Sequence, residues 1–453
     1  MKLKNAGFTA IGALFCLGAG VVAHAEAPRV WAIENARILR VSAPAIAQGT
    51  VLLRDGVIEA VGENIKTPAD AWVVDGHGLT VYPGLIDGLS TIGLPGANVV
   101  PAPARGGGRP VTTPSTPVPS APPARGPQDR PSNFSYIKAA DQIVPTDASI
   151  QTARDGGYTT AFSFPTGNIF SGQGSAIDLR GDNAGQMVVA PSMGQFITLR
   201  TLGFASYPGS LMGVIAYIRQ MYLDADHYKL ANQIYASHPQ GLQRPAYDRT
   251  VEGVIESPRI LLPAQRKVEI ERMLNFGREL HQKVILYGGE EAWRAADQLK
   301  AAGVPVLISL RWPERDRTAD PADQDALRIL EMRDKAPDSP AALAHAGVKF
   351  ALYSGGPINP KDQMKAVRRA IEHGLSAEDA LRAMTLSPAE MFGLQDRLGS
   401  IDKGKIANLV IADGDIFAEK TKIKFVFVDG DRFEPASSDA PAAPRKETTE
   451  ENQ

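Results

Sequence analysis

One strand–helix–strand unit constrains the fold of this chain more than any other stretch. Residues 283–287 have the apolar pattern of a buried strand, and residues 290–302 have that of a helix with acidic residues in its first turn. Gly303 is placed to end this helix, and residues 304–310 predict the next strand. This spacing is typical of two parallel strands joined by a right-handed crossover. We therefore predict an α/β fold with a parallel sheet.

The same alternation of helices and short apolar strands extends from about residue 141 to residue 395. Before it, residues 29–82 read as short strands, with a hairpin signal at Asp55-Gly56. After Gly393 the pattern returns to short strands. The chain thus has the order β, α/β, β.

The first 25 residues have the pattern of a signal peptide. Lys2 and Lys4 precede an apolar run over residues 8–22, and Ala23-His24-Ala25 is a small-x-small cleavage site. We predict a periplasmic or secreted protein with no membrane span after cleavage. The single cysteine, Cys16, lies in this segment, so the mature chain has neither a disulfide nor a thiol nucleophile. With 48 basic and 50 acidic residues, the charge balance argues against a nucleic-acid partner.

Two further segments break the pattern. Residues 95–131 hold eleven prolines and five glycines, which predicts an extended, mobile loop inside the α/β region. Its alternative role is a lid or a partner-docking arm, since long loops in compact domains are often functional. The polar residues 435–453 predict a disordered tail.

Three stretches resemble a known family. Residues 80–91, with the run Pro83-Gly84-Leu85-Ile86-Asp87, are similar to the entry motif of the amidohydrolase superfamily, most closely to its imidazolonepropionase-like members. Residues 386–394 and 398–411 resemble the closing motifs of that family. The resemblance implies a (β/α)8 TIM barrel over residues 83–395. It also implies a small β-sandwich built from residues 26–82 and 396–434.

The family binds zinc or another divalent metal, but its ligand positions are changed in this chain. By the resemblance, the histidine and aspartate ligands fall on Leu89, Thr91, Pro263, Tyr287 and Gly355. A shift of one residue would replace Tyr287 by Leu286 or Gly288. None of these is a usual zinc ligand, because zinc prefers imidazole, thiolate or carboxylate groups. We predict no metal cofactor and expect these positions to line the former pocket.

Other candidate site residues are few. The seven histidines form no His-x-His or His-x-x-x-His pair. Gln173 lies in the glycine-rich residues 167–176, which predict either a tight turn or a loop that contacts a polar ligand. Arg311 follows a predicted strand and could hold a carboxylate or form a surface ion pair.

These observations leave three functional hypotheses. The main one is an exported, non-catalytic amidohydrolase-like protein that binds a small polar ligand, or pairs with a metal-containing paralogue or with itself. The first alternative is an active hydrolase of non-peptide carbon–nitrogen bonds in cyclic amides or similar compounds, with a reduced site that uses Glu256, His227 or His238. The second alternative is a periplasmic solute-binding protein. No catalytic residue is assigned, and the enzyme question stays open.

Overall fold

A computed structural model describes residues 30–96, 124–316, 320, 322, 324–356 and 359–435. The predicted signal peptide, residues 97–123 of the proline-rich loop, and the predicted tail beyond residue 435 lie outside the described residues.

The strands of the described chain belong to two sheets. They are β1 (Val30–Ile38), β2 (Ile46–Arg54), β3 (Val57–Gly62), β4 (Trp72–Asp75), β5 (Thr80–Pro83), β6 (Leu85–Ser90), β7 (Tyr158–Ser163), β8 (Phe170–Asp178), β9 (Val188–Ile197), β10 (Ile260–Ala264), β11 (Val284–Gly288), β12 (Val306–Ser309), β13 (Phe350–Tyr353), β14 (Leu409–Ala412), β15 (Ile423–Val428) and β16 (Asp431–Phe433).

Helices cover the outer surface of the second sheet. The α-helices are α1 (Ala148–Asp155), α2 (Ala184–Met187), α3 (Leu211–Ser237), α4 (Arg249–Glu256), α5 (Lys267–Glu279), α6 (Ala296–Ala302), α7 (Leu327–Lys335), α8 (Ser339–Ala346), α9 (Pro360–Glu372), α10 (Ala377–Ala383) and α11 (Leu386–Phe392). Short 3-10 helices lie at Pro127–Asp129, Ala139–Gln142, Ala292–Arg294 and Ala336–Asp338.

The first sheet joins the two ends of the described chain. Its order is β16-β15-β14-β5-β1-β2-β3, and β4 also pairs with β1. The β2–β3 hairpin turns at Asp55-Gly56, where both residues have a positive φ, as the sequence predicts. Because β14 pairs antiparallel with β5, a strand from residues 409–412 lies beside one from residues 80–83. The core of this sheet contains Trp31, Ile33 and Phe427.

The second sheet is a nearly closed barrel of eight strands in the order β13-β12-β11-β10-β9-β8-β7-β6. Together with the separate first sheet, it confirms the predicted TIM barrel with a β-sandwich partner. One strand departs from the all-parallel pattern, because β8 runs antiparallel to both β7 and β9. The segments that join β7 to β8 and β8 to β9 are therefore short and need no crossover helix.

The barrel closes where β13 meets β6. The Gly355 N–H donates to the Leu89 carbonyl at 3.0 Å. Beside it, the Ser354 N–H donates to Asp87 Oδ1 at 3.0 Å. The Asp87 carboxylate thus accepts one of the hydrogen bonds that join β13 to β6.

The inside of the barrel is filled with side chains. Phe162, Phe164 and Phe196 are fully buried there, together with Tyr287 and Leu89. The Phe196 and Tyr287 ring centroids lie 5.0 Å apart. At the other end, Phe392 of α11 packs edge-on against Phe162, with ring centroids 5.0 Å apart. The barrel is thus a packed core, as in other barrels of this size.

Two local predictions are wrong. Residues 167–176 were expected to form a turn or a ligand loop, but residues 170–178 form the buried strand β8. Its glycines are there because the neighbouring structure leaves no room: a Cβ at Gly174 would overlap the Phe164 ring. The helix expected to begin at Glu290 begins instead at Ala296, after the 3-10 turn Ala292–Arg294.

The longest helix is α3, with 27 residues. Within the described part of the chain, no helix combines the length and apolarity that a membrane span requires.

Candidate functional site

The five positions that the resemblance assigns to metal ligands all lie at or near the carboxyl ends of barrel strands. Leu89 and Thr91 lie at the end of β6, Pro263 lies in β10, Tyr287 in β11 and Gly355 just after β13. All five are buried. The Tyr287 hydroxyl donates to the Ile197 carbonyl at 3.0 Å, so it is tied to the end of β9. The Thr91 hydroxyl is buried and has no hydrogen-bond partner among the described residues.

The structure brings Arg311 to Gly355. The Arg311 Nε–H donates to the Ser354 carbonyl at 2.8 Å. Gly355 has φ of 75°, and a Cβ there would lie 3.4 Å from the Tyr353 ring and 3.7 Å from Arg311 Nε. These are ordinary contact distances, so the positive φ, and not a lack of space, is what favours glycine at this position.

Several polar side chains gather at this end of the barrel. We call the following residues the mouth cluster: Asp87, Thr91, Glu290, Arg311 and Ser354. They follow or belong to β6, β11, β12 and β13. In barrel enzymes the carboxyl ends of the strands are where active sites are built.

Asp87 is the most perturbed group of the mouth cluster. It is 1% exposed, and Oδ1 accepts hydrogen bonds from the Ser354 N–H at 3.0 Å and the Leu89 N–H at 3.4 Å. Burial raises the pKa of the Asp87 carboxyl to about 6, although the donors from Ser354 oppose the rise. Oδ2 has no hydrogen-bond partner among the described residues. A buried carboxyl that titrates near neutral pH is a functional-site candidate.

Tyr353 connects the charged members of the mouth cluster. Burial raises the pKa of its hydroxyl, and the charges of Glu290, Arg311 and Asp87 all act on it. Asp87 and Arg311 are joined through the backbone of Ser354, whose N–H donates to Asp87 Oδ1 at 3.0 Å and whose carbonyl accepts from Arg311 Nε at 2.8 Å. Glu290 itself is 6% exposed. Two carboxyls and a cation are the groups that acid–base chemistry on a polar substrate requires.

Gln173 lies away from the mouth cluster. It is fully buried in β8, and its Nε2 donates to the carbonyls of Ser135 at 3.2 Å and Gly253 at 3.0 Å. Its Oε1 accepts from the Ser192 hydroxyl at 2.5 Å. These bonds attach α4 and the segment before it to the barrel, so the side chain holds protein groups together.

The residues of the suggested reduced site are dispersed. His227 lines a groove of about 710 Å³ together with Asp224 and Asp248. His238 is the residue that ends α3, and its backbone N–H donates to the Ile234 carbonyl. Glu256 lies within 3.7 Å of Lys138 Nζ and is not part of the groove lining. In the groove, Arg130 is ion-paired with both aspartates, so its charge is already compensated.

Sequence reasoning missed Asp87 and Glu290 as site residues. The available signal for Asp87 was a carboxylate inside the apolar run Leu85-Ile86-Asp87-Gly88-Leu89. For Glu290 the signal was its place two residues after β11, at the barrel end where function is found. Glu290 was assigned instead to the first turn of a helix, where acidic residues are common.

Comparisons with known proteins find a family match for part of the chain. The model of the amidohydrolase family matches residues 280–433. A stretch of 49 residues is 43% identical to N-acetylglucosamine-6-phosphate deacetylase of Haemophilus influenzae; it covers 11% of this chain and only 13% of that enzyme. The C-terminal third of the chain is thus similar to the amidohydrolase family.

Solved structures of this superfamily have the same fold. An amidohydrolase from Thermotoga maritima MSB8 superposes with a TM-score of 0.69 at 24% identity, over 89% of this chain and 99% of that one. Phenylurea hydrolase B superposes with a TM-score of 0.53 at 16% identity, over 90% of this chain and 97% of that one.

These comparisons contradict the predicted non-catalytic role. The similar proteins are named as a deacetylase, an amidohydrolase and a hydrolase, and so favour the hydrolase alternative over a binding or partner subunit. The predicted loss of catalysis was inferred only from the loss of the family's metal ligands. It did not consider other polar side chains of the barrel. The mouth cluster offers a second set of polar groups at the same end of the barrel.

The residues at the family ligand positions do not fit a divalent metal. They supply an alkyl chain, a hydroxyl, a proline ring, a phenol bonded to backbone and a glycine. Across residues 30–96, 124–316 and the later described segments, no group of three or more His, Cys, Asp or Glu side chains could hold a metal ion. We therefore derive no step through a metal.

Proposed function

We propose that this protein is a hydrolase of carbon–nitrogen bonds other than peptide bonds, in cyclic amides or similar compounds, and that it binds its substrate at the mouth cluster. The observation that carries the proposal is the placement of Asp87 and Arg311 on the backbone of Ser354, with Glu290 at the same end of the barrel, where this fold keeps its sites. The names of the similar proteins support the reaction class.

The proposed roles follow from the chemistry of each group. Above pH 6 the Asp87 carboxylate can accept a proton, and its buried Oδ2 has no hydrogen-bond partner among the described residues. Arg311 is fixed through Nε to the Ser354 carbonyl, and its exposed side chain can bind a carbonyl or carboxylate oxygen of the substrate. Amide hydrolysis requires proton removal from water, charge stabilisation at the carbonyl and a proton for the leaving nitrogen. The proton that Asp87 takes from water can be passed to that nitrogen as the C–N bond breaks, which returns Asp87 to its carboxylate form.

The test is turnover of a panel of lactams, hydantoins, phenylureas and N-acetylated amines by the purified protein. Asp87→Asn keeps the acceptor Oδ1 but cannot take a proton, so we expect kcat/KM to fall at least 100-fold. Arg311→Ala should raise KM about tenfold or more.

Asp178→Asn is the matched control for the Asp87 variant. Asp178 is also a buried barrel carboxyl with a raised pKa, but its hydrogen bonds come from Thr160 and Asn408, which are not members of the mouth cluster. Its variant should retain activity. If a folded wild-type protein turns over no compound of the panel, or if both asparagine variants lose activity equally, the proposed site is wrong.

We also propose that the protein is exported. The support is the pattern of Lys2, Lys4, the apolar run over residues 8–22 and the Ala23-His24-Ala25 site. Expression in a Gram-negative host should yield a periplasmic protein whose N-terminal residue is Glu26. A cytoplasmic protein that still begins at Met1 would contradict this proposal.

A further inference from the structure

The helix α3 has apolar side chains on two opposite faces. One face packs against the barrel through buried residues: Val214, Tyr217, Ile218, Met221, Tyr222 and Ala225. At 3.6 residues per turn, the opposite face carries Met212, Ala216, Leu223, Leu230 and Ile234 within about 20° of one line. We call these five residues the α3 stripe.

The α3 stripe is open to solvent in the described structure. Met212 is 82% exposed, Leu223 57%, Leu230 54% and Ile234 48%. Soluble helices usually carry polar residues on the face away from the core. Five apolar residues on that face, spaced along the helix with Arg219, Gln220, Asp226 and His227 between them, therefore indicate a second packing surface.

The second half of α3 has little support from the rest of the chain. None of the residues from Asp226 to Ser237 is buried, although the Tyr228 hydroxyl donates to Glu252 of α4 at 2.9 Å. A helical segment of about 12 residues is only marginally stable in water unless another element packs against it. A packing partner would therefore stabilise this part of the helix.

The apolar residues of the α3 stripe are spaced symmetrically about Leu223, and this spacing indicates what packs against the stripe. Counted from Leu223, the apolar residues lie at −11, −7, +7 and +11. Two copies packed antiparallel around a two-fold axis at Leu223 would place Met212 opposite the partner's Ile234. Ala216 would then lie opposite the partner's Leu230, a small residue against a large one. Such self-complementarity is what an isologous contact requires.

The charges beside the stripe are compatible with the same arrangement. Arg219 and Asp226 lie on one flank of the stripe, at −4 and +3 from Leu223, and within the chain they form ion pairs with Glu279 and Lys229. In the antiparallel pair each Arg219 would lie beside the partner's Asp226 as a second carboxylate. The exposed Phe204 before α3 and the exposed Leu242 after it lie at the two ends of the contact and would extend it.

We propose that the α3 stripe is the interface of a homodimer, formed by antiparallel packing of α3 against α3 of a second copy. This proposal does not depend on the proposed hydrolase activity. A helix pair with its flanking loops can approach the roughly 800 Å² per partner of a standard interface.

The test is the mass of the full chain in solution, measured by light scattering or sedimentation at 1–50 µM. We expect twice the chain mass of 48.4 kDa. The double variant Leu223→Glu, Leu230→Glu would place four charges in the dimer contact and should weaken dimerisation at least tenfold. Because both side chains are exposed, its melting curve as a dilute monomer should match that of the wild type.

Two controls make the result specific. Leu327→Glu replaces a leucine that is 81% exposed on α7, outside the stripe, and should leave the dimer intact. In a Cys16→Ser background, Leu223→Cys should form a disulfide-linked dimer on mild oxidation, since residue 223 meets itself at the axis, whereas Leu327→Cys should not. A monomeric wild-type protein, or a dimer unaffected by the double variant, would overturn the proposal. Either result would assign the stripe to another partner or to residues of this chain outside the described ones.

Discussion

Asp178 is a carboxyl group buried in the barrel wall. Asp178 accepts hydrogen bonds at 2.8 Å from the Thr160 hydroxyl and from the Asn408 side-chain amide. Even so, burial raises the pKa of Asp178 to about 7. Two hydrogen bonds do not offset the loss of solvation when a carboxylate is fully enclosed.

The raised pKa predicts how stability depends on pH. Because the folded state holds the Asp178 proton more tightly than the unfolded state, the free energy of unfolding should fall as the pH rises from about 4 to 7. The loss attributable to Asp178 is on the order of 4 kcal/mol. Asp178→Asn cannot ionise, so urea unfolding of wild type and variant at pH 4.5 and pH 8 should show the variant gaining relative stability at pH 8. If the difference in unfolding free energy between wild type and variant is the same at both pH values, the pKa of Asp178 is not raised.

Asp87 gives the corresponding prediction for activity. Its pKa of about 6 means that the base is protonated below that pH and available above it. We expect kcat/KM to rise with pH through about 6 and the acid limb to disappear in Asp87→Asn, as measured on the best substrate of the panel. An unchanged acid limb in that variant would assign the titration to another group.

At the scale of elements, strand β8 can pack in the barrel wall only because residues 172 and 174 are glycines without a Cβ. Gly174 faces the Phe164 ring, which is fully buried and packs against Phe196 and Phe392. Gly174→Ala should therefore destabilise the protein by about 1–3 kcal/mol, the usual cost of overpacking a core. Gly62→Ala in β3 is the control, because its Cβ would meet Ile65 at an ordinary 3.4 Å. Equal stability of the two variants in thermal melts would show that β8 is looser than described.

Elements with a local signal were predictable from sequence. Helix α1 has such a signal, because the side chain of its cap, Asp147, accepts from the Ser149 N–H. Strand β8 was missed because Gly172 and Gly174 have no side chains to reveal alternation, and its antiparallel direction is set by β7 and β9. The mouth cluster was missed for a related reason. Asp87 and Glu290 are about 200 residues apart, and only barrel closure brings both to Tyr353.

At the scale of the whole molecule, Asn408 links the first sheet to the barrel. Its Nδ2 donates to Asp178 Oδ1 at 2.8 Å and to Thr160 Oγ1 at 3.1 Å, both in the barrel wall. Its Oδ1 accepts from the Asp429 N–H at 2.8 Å, in the turn between β15 and β16. A second link is Arg180, which pairs with Asp429 at 3.2 Å and Asp431 at 2.7 Å. These contacts tie the end of the chain to strands β7 and β8.

Removing this link should weaken the whole fold. Asn408→Ala would leave Asp178 and the Asp429 N–H each with one partner fewer, at a cost of about 2–4 kcal/mol for buried polar groups left unsatisfied. The loss should be largest above pH 7, where Asp178 is ionised and depends most on its donors. Arg180→Ala removes a half-exposed pair from the same contact and should cost less, about 1 kcal/mol. The test is urea unfolding of both variants at pH 5 and pH 8. If Asn408→Ala lowers the free energy of unfolding less than Arg180→Ala does, the exposed ion pairs of Arg180, and not the buried amide of Asn408, hold the first sheet to the barrel.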